Sequence, residues 1–358
     1  MISCIVVNYR CAHLTLGSVH SILSQDEDVE ILVVDNSEDE AEAQTLRDRL
    51  PPAVTLSINA ANEGFARACN RAYRQSSGDM VLLLNPDARL FPEALGHLRR
   101  TLLSRADAGA VGPRIYWDDG KRFLLPPSLF PCPRQMLKNE LWRLHPALGD
   151  FASHSFRRRA LRAWQGKRAF ADSALSGGSV LLRRSAVEKS GGLFDERFFM
   201  YFEDSDLMLR LARSGYRLYV EPSAEIVHYY EQSPWKSELM IESSPLYFEK
   251  NYGKSRLLRW AGKMAMMPPR RIPEFEPLGA LSDPPSFAVP PALDGKWLME
   301  ISPSHLFIPA IGCFGSGEKA SIPGECWRLL HPGRYYCRIG SPDASPREIR
   351  SWTWEIIA

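Results

Sequence analysis

The 358-residue sequence has no run of about 18 apolar residues, so no bilayer-spanning helix is expected. It has no C-x-x-C pair either. Cys4, Cys11, Cys69, Cys132, Cys313, Cys326 and Cys337 are odd in number and scattered, which argues against a zinc ribbon or a disulfide framework. Buried free thiols in a reducing compartment are the expectation. Charge of one sign is not in excess: 44 Lys and Arg face 42 Asp and Glu, leaving +2, which excludes a whole-molecule polycation built for nucleic acid. No internal repeat is found. After the first apolar run stands Asn8-Tyr9-Arg10-Cys11 rather than a Gly-rich basic phosphate loop, which argues against a nucleotidyltransferase. The opening Met1–Val7 is apolar, without a basic leader, and too short for a signal peptide. It is expected to form a buried strand.

What is present begins with an alternation. Apolar β-rich runs at Ile2–Asn8, Val29–Asp35, Val54–Ile58 and Met80–Leu84 are separated by helical patterns at Ala12–Leu23, Ala41–Leu50 and Ala66–Gln75, and a helix over Pro92–Leu103 follows. Strands apolar on both faces between helices predict an α/β fold with a mostly parallel sheet flanked by helices. Ligands of such sheets bind at the carboxyl ends of the strands. Those ends carry Asn8-Tyr9, Asp35-Asn36, Asn59 and Asn85-Pro86-Asp87. Beyond them, about 118–170 reads as an irregular, proline-containing basic insertion with Arg157, Arg158, Arg159, Arg162, Lys167 and Arg168. Residues 268–291 are proline-rich and read as a linker, and 292–358 as a small β-rich domain. Its tryptophans, Trp297, Trp327, Trp352 and Trp354, suit a small core better than sugar stacking.

Four places carry candidate chemistry, each with a plainer reading beside it. Asp35 can accept from a base or a ribose hydroxyl, or simply open a turn. Asp87 follows a proline-stiffened turn, where one carboxylate suits a divalent cation bridging a diphosphate; an ordinary Asn-Pro-Asp turn reads the same. Glu203, Asp204 and Asp206 crowd behind an aromatic run, which should raise at least one carboxylate pKa, as a general base requires. The same acids also suit the first turn of a helix. His228 ends a short apolar run, where histidines are commonly structural.

In order, these pieces resemble the inverting glycosyltransferases of family 2, and within them the bacterial rhamnosyltransferase-like branch. The resemblance runs from Ile2 to about Gly253. It is carried by Val6-Val7-Asn8-Tyr9, Val33-Val34-Asp35-Asn36-Ser37, Asn62-Glu63-Gly64-Phe65, Leu84-Asn85-Pro86-Asp87, Ser176-Gly177-Gly178, Gly192-Leu193-Phe194-Asp195-Glu196, Tyr201-Phe202-Glu203-Asp204-Ser205-Asp206 and His228. It implies a GT-A fold over 1–267. It implies a nucleotide site of Asn8, Tyr9, Asp35, Asn62, Gly64, Phe65, Asn70 and Asn85. Asp87 and His228 would hold Mg²⁺ or Mn²⁺, with Asn85 standing where the family's D-x-D motif has its first acid. Asp204, with Glu203, would provide the base, and Gly177, Gly178, Tyr201, Phe202 and Asp206 a sugar or acceptor pocket.

The implied reaction moves a sugar from a nucleoside-diphosphate donor, such as dTDP-rhamnose or a UDP-sugar, to a glycan or polyprenyl-linked saccharide. A non-catalytic sugar-nucleotide or glycan-binding protein of the same fold stays open, although a binding protein needs no base. The expected location is the cytoplasm. The segment Ser255–Arg271 mixes Leu257, Leu258, Trp260, Met264, Met266 and Met267 with Arg256, Arg259, Lys263, Arg270 and Arg271. Such a helix suits the inner membrane surface, or equally packs on the main domain with a solvated basic face.

Overall fold

The computed structural model describes residues 1–229, 234–268, 274–293, 295–343 and 350–357; Arg270 and Arg271 lie outside them. The first 115 residues follow the expected alternation. β1 (Ile2–Asn8), α1 (Ala12–Leu23), β2 (Val29–Asp35), α2 (Glu40–Arg49), β3 (Val54–Ile58), α3 (Phe65–Gln75) and β4 (Met80–Leu84) lead to β5 (Ala88–Leu90), α4 (Ala94–Ser104) and β6 (Ala108–Tyr116). Then come β7 (Phe123–Leu124), α5 (Pro133–Leu144) and α6 (Pro146–Gln165). After these lie β8 (Phe170–Asp172), β9 (Ser179–Arg183), α7 (Arg184–Lys189), α8 (Glu203–Arg213), β10 (Arg217–His228) and α9 (Pro234–Tyr252). The chain continues with α10 (Arg256–Ala265), β11 (Glu276–Leu281), β12 (Ser286–Ala288), β13 (Lys296–Ser302), β14 (Ile311–Ser316), β15 (Lys319–Ser321), β16 (Gly333–Gly340) and β17 (Arg350–Ile356).

Two compact units result, 1–115 with 167–253, and 116–166 with 254–358. In the first, the sheet order is β3-β2-β1-β4-β9-β6. β1 to β4 run parallel, and β9 is antiparallel to β4 and to β6. Every residue of β1 and β4 is buried, because helices cover both faces. The register is what matters for function. Asn8 lies beside Asp35, so β1 and β2 end level with each other. Leu84 pairs with Ser179, which sets Asn85 opposite Gly178. Ala88 pairs with His228, which brings the end of β10 to the turn after β4. The short apolar run before His228 is the end of one longer strand, β10.

In the second unit the sheet order is β11-β17-β16-β13-β14-β7, with β12 and β15 paired separately. Its boundaries differ from the sequence expectation in three ways. The insertion is helical rather than irregular, because Pro133 and Pro146 sit at helix starts, where a missing N–H costs nothing. The expected linker contributes β11 and β12; β11 is an edge strand, the place in a sheet that tolerates Pro277. And 116–166 groups with the carboxyl-terminal strands, since β7 pairs with β14. Arg157 of α6 is wholly buried and bonds to Glu300 of β13 and to the carbonyl of Ser341. Arg338 of β16 grips the same carboxylate at 2.7 and 2.8 Å and donates to Ser153 at 2.8 Å. Arg157 is thus a core residue rather than part of a basic surface. Burial draws both guanidinium pKa values down, to about 9 for Arg157 and about 10 for Arg338.

Trp297, Trp327, Trp352 and Trp354 are all buried, so they are core. The seven cysteines are free; Cys11 and Cys132 are partly exposed and the others buried. No helix among the described residues is long and apolar enough to cross a membrane.

Glu300 faces two buried cations. Removing it strands both, so Glu300→Ala should destabilise the protein by about 3–5 kcal/mol, read from chemical denaturation. A change below about 1 kcal/mol would show that the cluster is not structural.

Candidate functional site

The carboxyl ends of β1, β2 and β3 carry an amide network. Asn8 is fully buried and donates to Asp35 Oδ1 at 2.9 Å and to Glu42 Oε2 at 3.1 Å, while its own Oδ1 accepts from Thr15 at 2.7 Å. Its side chain is spent on holding Asp35, which corrects the expectation that Asn8 itself meets a nucleotide. Glu42 also accepts from the N–H of Ala12 at 2.7 Å and so closes the open end of α1. Tyr9 is exposed, with the Arg10 guanidinium over its ring.

Asn36, expected at a strand end but not in the implied nucleotide set, is the hub of the next layer. It donates to Asn62 Oδ1 at 2.6 Å and accepts from Asn59 at 2.9 Å and from the Glu63 N–H at 3.1 Å. Asn62 Oδ1 in turn accepts from the Gly64 N–H at 3.0 Å. Gly64 has φ +82°, and a Cβ there would meet the carbonyl oxygen of Phe199 at 2.5 Å. Glycine is therefore required on two counts. The Phe65 N–H donates to the same carbonyl at 2.7 Å, fastening the start of α3 to the aromatic run before α8. Asn70 acts likewise, exchanging bonds with the backbone of Phe194 at 2.9 and 3.0 Å. It is a bracket between α3 and the loop at Phe194 rather than a nucleotide contact.

Opposite the amides, strand register builds a second group. His228 Nε2 stands 3.1 Å from Asp87 Oδ1, and the Tyr229 N–H donates to the Asp87 carbonyl at 3.1 Å. His228 is buried and Asp87 partly exposed. The Asn85 N–H donates to the Gly178 carbonyl at 2.8 Å. A Cβ on Gly178 would come within 2.7 Å of Asn85 Nδ2 and 3.1 Å of His228 Cε1, and one on Gly177 within 2.6 Å of Asp204 Cβ. The two glycines thus separate Asp204 from Asn85 and His228 by no more than backbone. Residues 85, 87, 177, 178, 204 and 228 form one constellation.

Asp204 is held in it by the Gly177 N–H at 3.0 Å and by the Ser205 N–H at 2.6 Å. Loss of water raises its pKa, and those bonds pull the other way. The turn before it is unusual, since Tyr201 and Phe202 both have positive φ, 70° and 67°. Such non-glycine conformations cost about 1–3 kcal/mol each and persist where surrounding contacts enforce them. Phe202 is pinned by Tyr247, with ring centroids 5.2 Å apart, so it serves as a packing residue. Glu203 is buried, and its Oε2 has no hydrogen-bond partner among the described residues. Burial first, and then the neighbouring Asp204 charge, push its pKa up to about 8. Asp206 departs from the expected pocket role. It is fully buried and bound to Lys250 at 2.7 Å, Arg210 at 2.8 Å and Asn251 at 3.1 Å. Burial works to raise its pKa, but those partners outweigh it and the pKa is lowered. Arg210 also donates to the carbonyls of Gly192 and Leu193, bracing the loop that Asn70 holds from the other side.

The family model "Glycosyl transferase family 2" matches residues 3–189, just over half of the chain. The chain belongs to that family. The match ends short of Glu203, Asp204 and His228. The N-acetylglucosaminyl-diphospho-decaprenol L-rhamnosyltransferase of Mycobacterium tuberculosis (strain ATCC 25618 / H37Rv) is 32% identical over 223 residues, 58% of this chain and 68% of that protein. The Escherichia coli K12 rhamnosyltransferase WbbL is 29% identical over 162 residues, 44% of this chain and 54% of that one. Among solved structures, a Pyrobaculum calidifontis mannosyltransferase in complex with GDP-Man and Mn²⁺ aligns with a TM-score of 0.48 at 20% identity, over 74% of this chain and 72% of that one.

The glycosyltransferase has a titration behaviour that its buried acid dictates. The folded-state pKa of Glu203 lies above its unfolded value, so the folded protein holds a proton that the unfolded chain releases between about pH 4.5 and 8. That contribution to stability falls as pH rises through this window. With chelator present, Glu203→Gln should therefore gain more in melting temperature over the parent at pH 8 than at pH 5. Parallel profiles would mean that Glu203 is already ionised in the fold.

Proposed function

We propose that this family 2 glycosyltransferase moves a sugar, with inversion, from a nucleoside-diphosphate donor onto a hydroxyl of a polyprenyl-diphosphate-linked saccharide. L-rhamnose from dTDP-rhamnose is the favoured donor. The name of the M. tuberculosis relative specifies rhamnosyl transfer and a decaprenol-linked diphospho-sugar. The single observation that carries the catalytic reading is Asp204, a partly exposed residue fastened across Gly177 and Gly178 from the Asp87–His228 pair.

In this reading the base is Asp204 rather than Glu203. Only Asp204 reaches the surface, while Glu203 is buried and favours its neutral form at pH 7. A neutral neighbour keeps the two adjacent acids from repelling each other as anions and leaves Asp204 to carry the charge. Asp204 takes the acceptor hydroxyl proton as that oxygen bonds to the anomeric carbon. The bond from that carbon to the diphosphate breaks on the opposite face, its electron pair leaving with the diphosphate oxygen. Tyr9, Asp35 and the Asn36–Asn59–Asn62 network would border the nucleoside.

Asp87 and His228 suit a divalent cation. Asp87 Oδ1 and His228 Nε2 lie 3.1 Å apart, so the two side chains would hold one cation together. Carboxylate and imidazole are both acceptable to Mn²⁺, and Asp87 with substrate phosphates to Mg²⁺. When bound, the cation supplies positive charge against the departing diphosphate.

Asp204→Asn should lower kcat at least about 100-fold while the donor still binds in the presence of Mn²⁺ by calorimetry. Retained turnover would remove Asp204 from the mechanism. Asp87→Ala should instead abolish the Mn²⁺ dependence of donor binding, and an unchanged dependence would place the cation elsewhere.

A further inference from the structure

We infer that the exposed face of α10 is a docking surface for an anionic lipid bilayer. The helix packs along α5, with Ala261 buried, and Arg143 of α5 closes its last turn by donating to the carbonyls of Met264 and Met267 at 2.7 Å. That packing leaves another face of the helix open among the described residues. The other side is left apolar: Leu257 is 43% and Trp260 66% exposed, and Met266 and Met267, just past its end, are 88% and 50% exposed. Leu257, Trp260 and Met264 follow a three-and-four spacing, which lines them up along one stripe. Arg256, Arg259 and Lys263, all exposed, repeat the same spacing on the flank of that stripe.

Charge complementarity selects the occupant. From Lys254 to Met267 there are four cations and no acid. A protein partner would need an acidic, apolar-capped groove; an anionic membrane offers both features at once, with headgroups for the bases and acyl chains for Leu257, Trp260 and Met267. Tryptophan is a residue of choice at that boundary. The helix has only 10 residues, so it lies in the interface and does not span it. This inference rests on the second unit alone and does not require the transfer chemistry proposed above.

The test is flotation of the full chain with phosphatidylcholine vesicles containing roughly one-third phosphatidylglycerol, against pure phosphatidylcholine, at low salt and without donor or acceptor. The protein should float with the anionic vesicles and stay behind with the neutral ones. Arg256→Glu/Arg259→Glu/Lys263→Glu should weaken partitioning at least about 100-fold, and Leu257→Ala/Trp260→Ala at least about tenfold. All five side chains are exposed, so unchanged melting temperatures serve as the folding control. Three results overturn the inference: no flotation, equal binding to both vesicle types, or concentration-dependent self-association that the same substitutions abolish while vesicles are ignored. The last would show that a second copy covers the face. Because no substrate is present, none of these outcomes bears on Asp204.

Discussion

The candidate site depends on one close approach, that of the Gly177-Gly178 backbone to the side chains of Asp204, Asn85 and His228. A β-carbon at either position would collide, with Asp204 on one side and with Asn85 and His228 on the other. Two strand pairings put the backbone there. Leu84 opposite Ser179 aligns Asn85 with Gly178, and Ala88 opposite His228 carries the histidine to Asp87. Because each register is set by strands buried on both faces, a slip of one residue would cost the core as well as the site. The chemistry is therefore as rigid as the sheet.

Three acids within four residues of α8 meet three different fates, and environment alone separates them. Asp206 is buried among cations and an amide, which hold it as an anion. Glu203 is also buried, with only its own backbone N–H opposing that burial among the described residues, and it favours its proton. Asp204 lies between, held by two backbone N–H groups and still reaching the surface. Only this third arrangement combines access with a carboxylate whose ionised form is supported but not locked. The strained backbone at Tyr201 and Phe202 sets the turn that distributes the three residues, and the packing of Phe202 on Tyr247 holds that turn.

Much of the first unit was legible because periodicity and strand-end residues are local signals. The alternation of apolar runs locates β1 to β4, and their ends carry Asp35, Asn36, Asn59 and Asp87. Roles within the network were not legible. Asn8 and Asn70 carry the residue types of a ligand pocket, yet both are consumed by bonds to Asp35 and to the Phe194 backbone. Distinguishing a contact from its support requires knowing which side chain faces which, and partners such as Glu42 and Lys250 come from distant helices with no motif around them. The second unit was misjudged for a similar reason. Proline-rich and basic composition suggested linker and surface, whereas a buried Arg157 ties α6 to β13 and edge pairing accommodates Pro277. Long-range partners decide such cases, and composition does not report them.

The central claim is that Asp87, His228 and Asp204 serve one substrate. A crystal structure of the protein with Mn²⁺ and a nucleoside diphosphate, phased to reveal the anomalous signal of the ion, tests it most directly. The account requires a manganese peak within bonding distance of Asp87 and His228, the diphosphate on that ion, and the Asp204 carboxylate facing the terminal phosphate. A peak elsewhere, or a diphosphate bound away from Gly177 and Gly178, would contradict it.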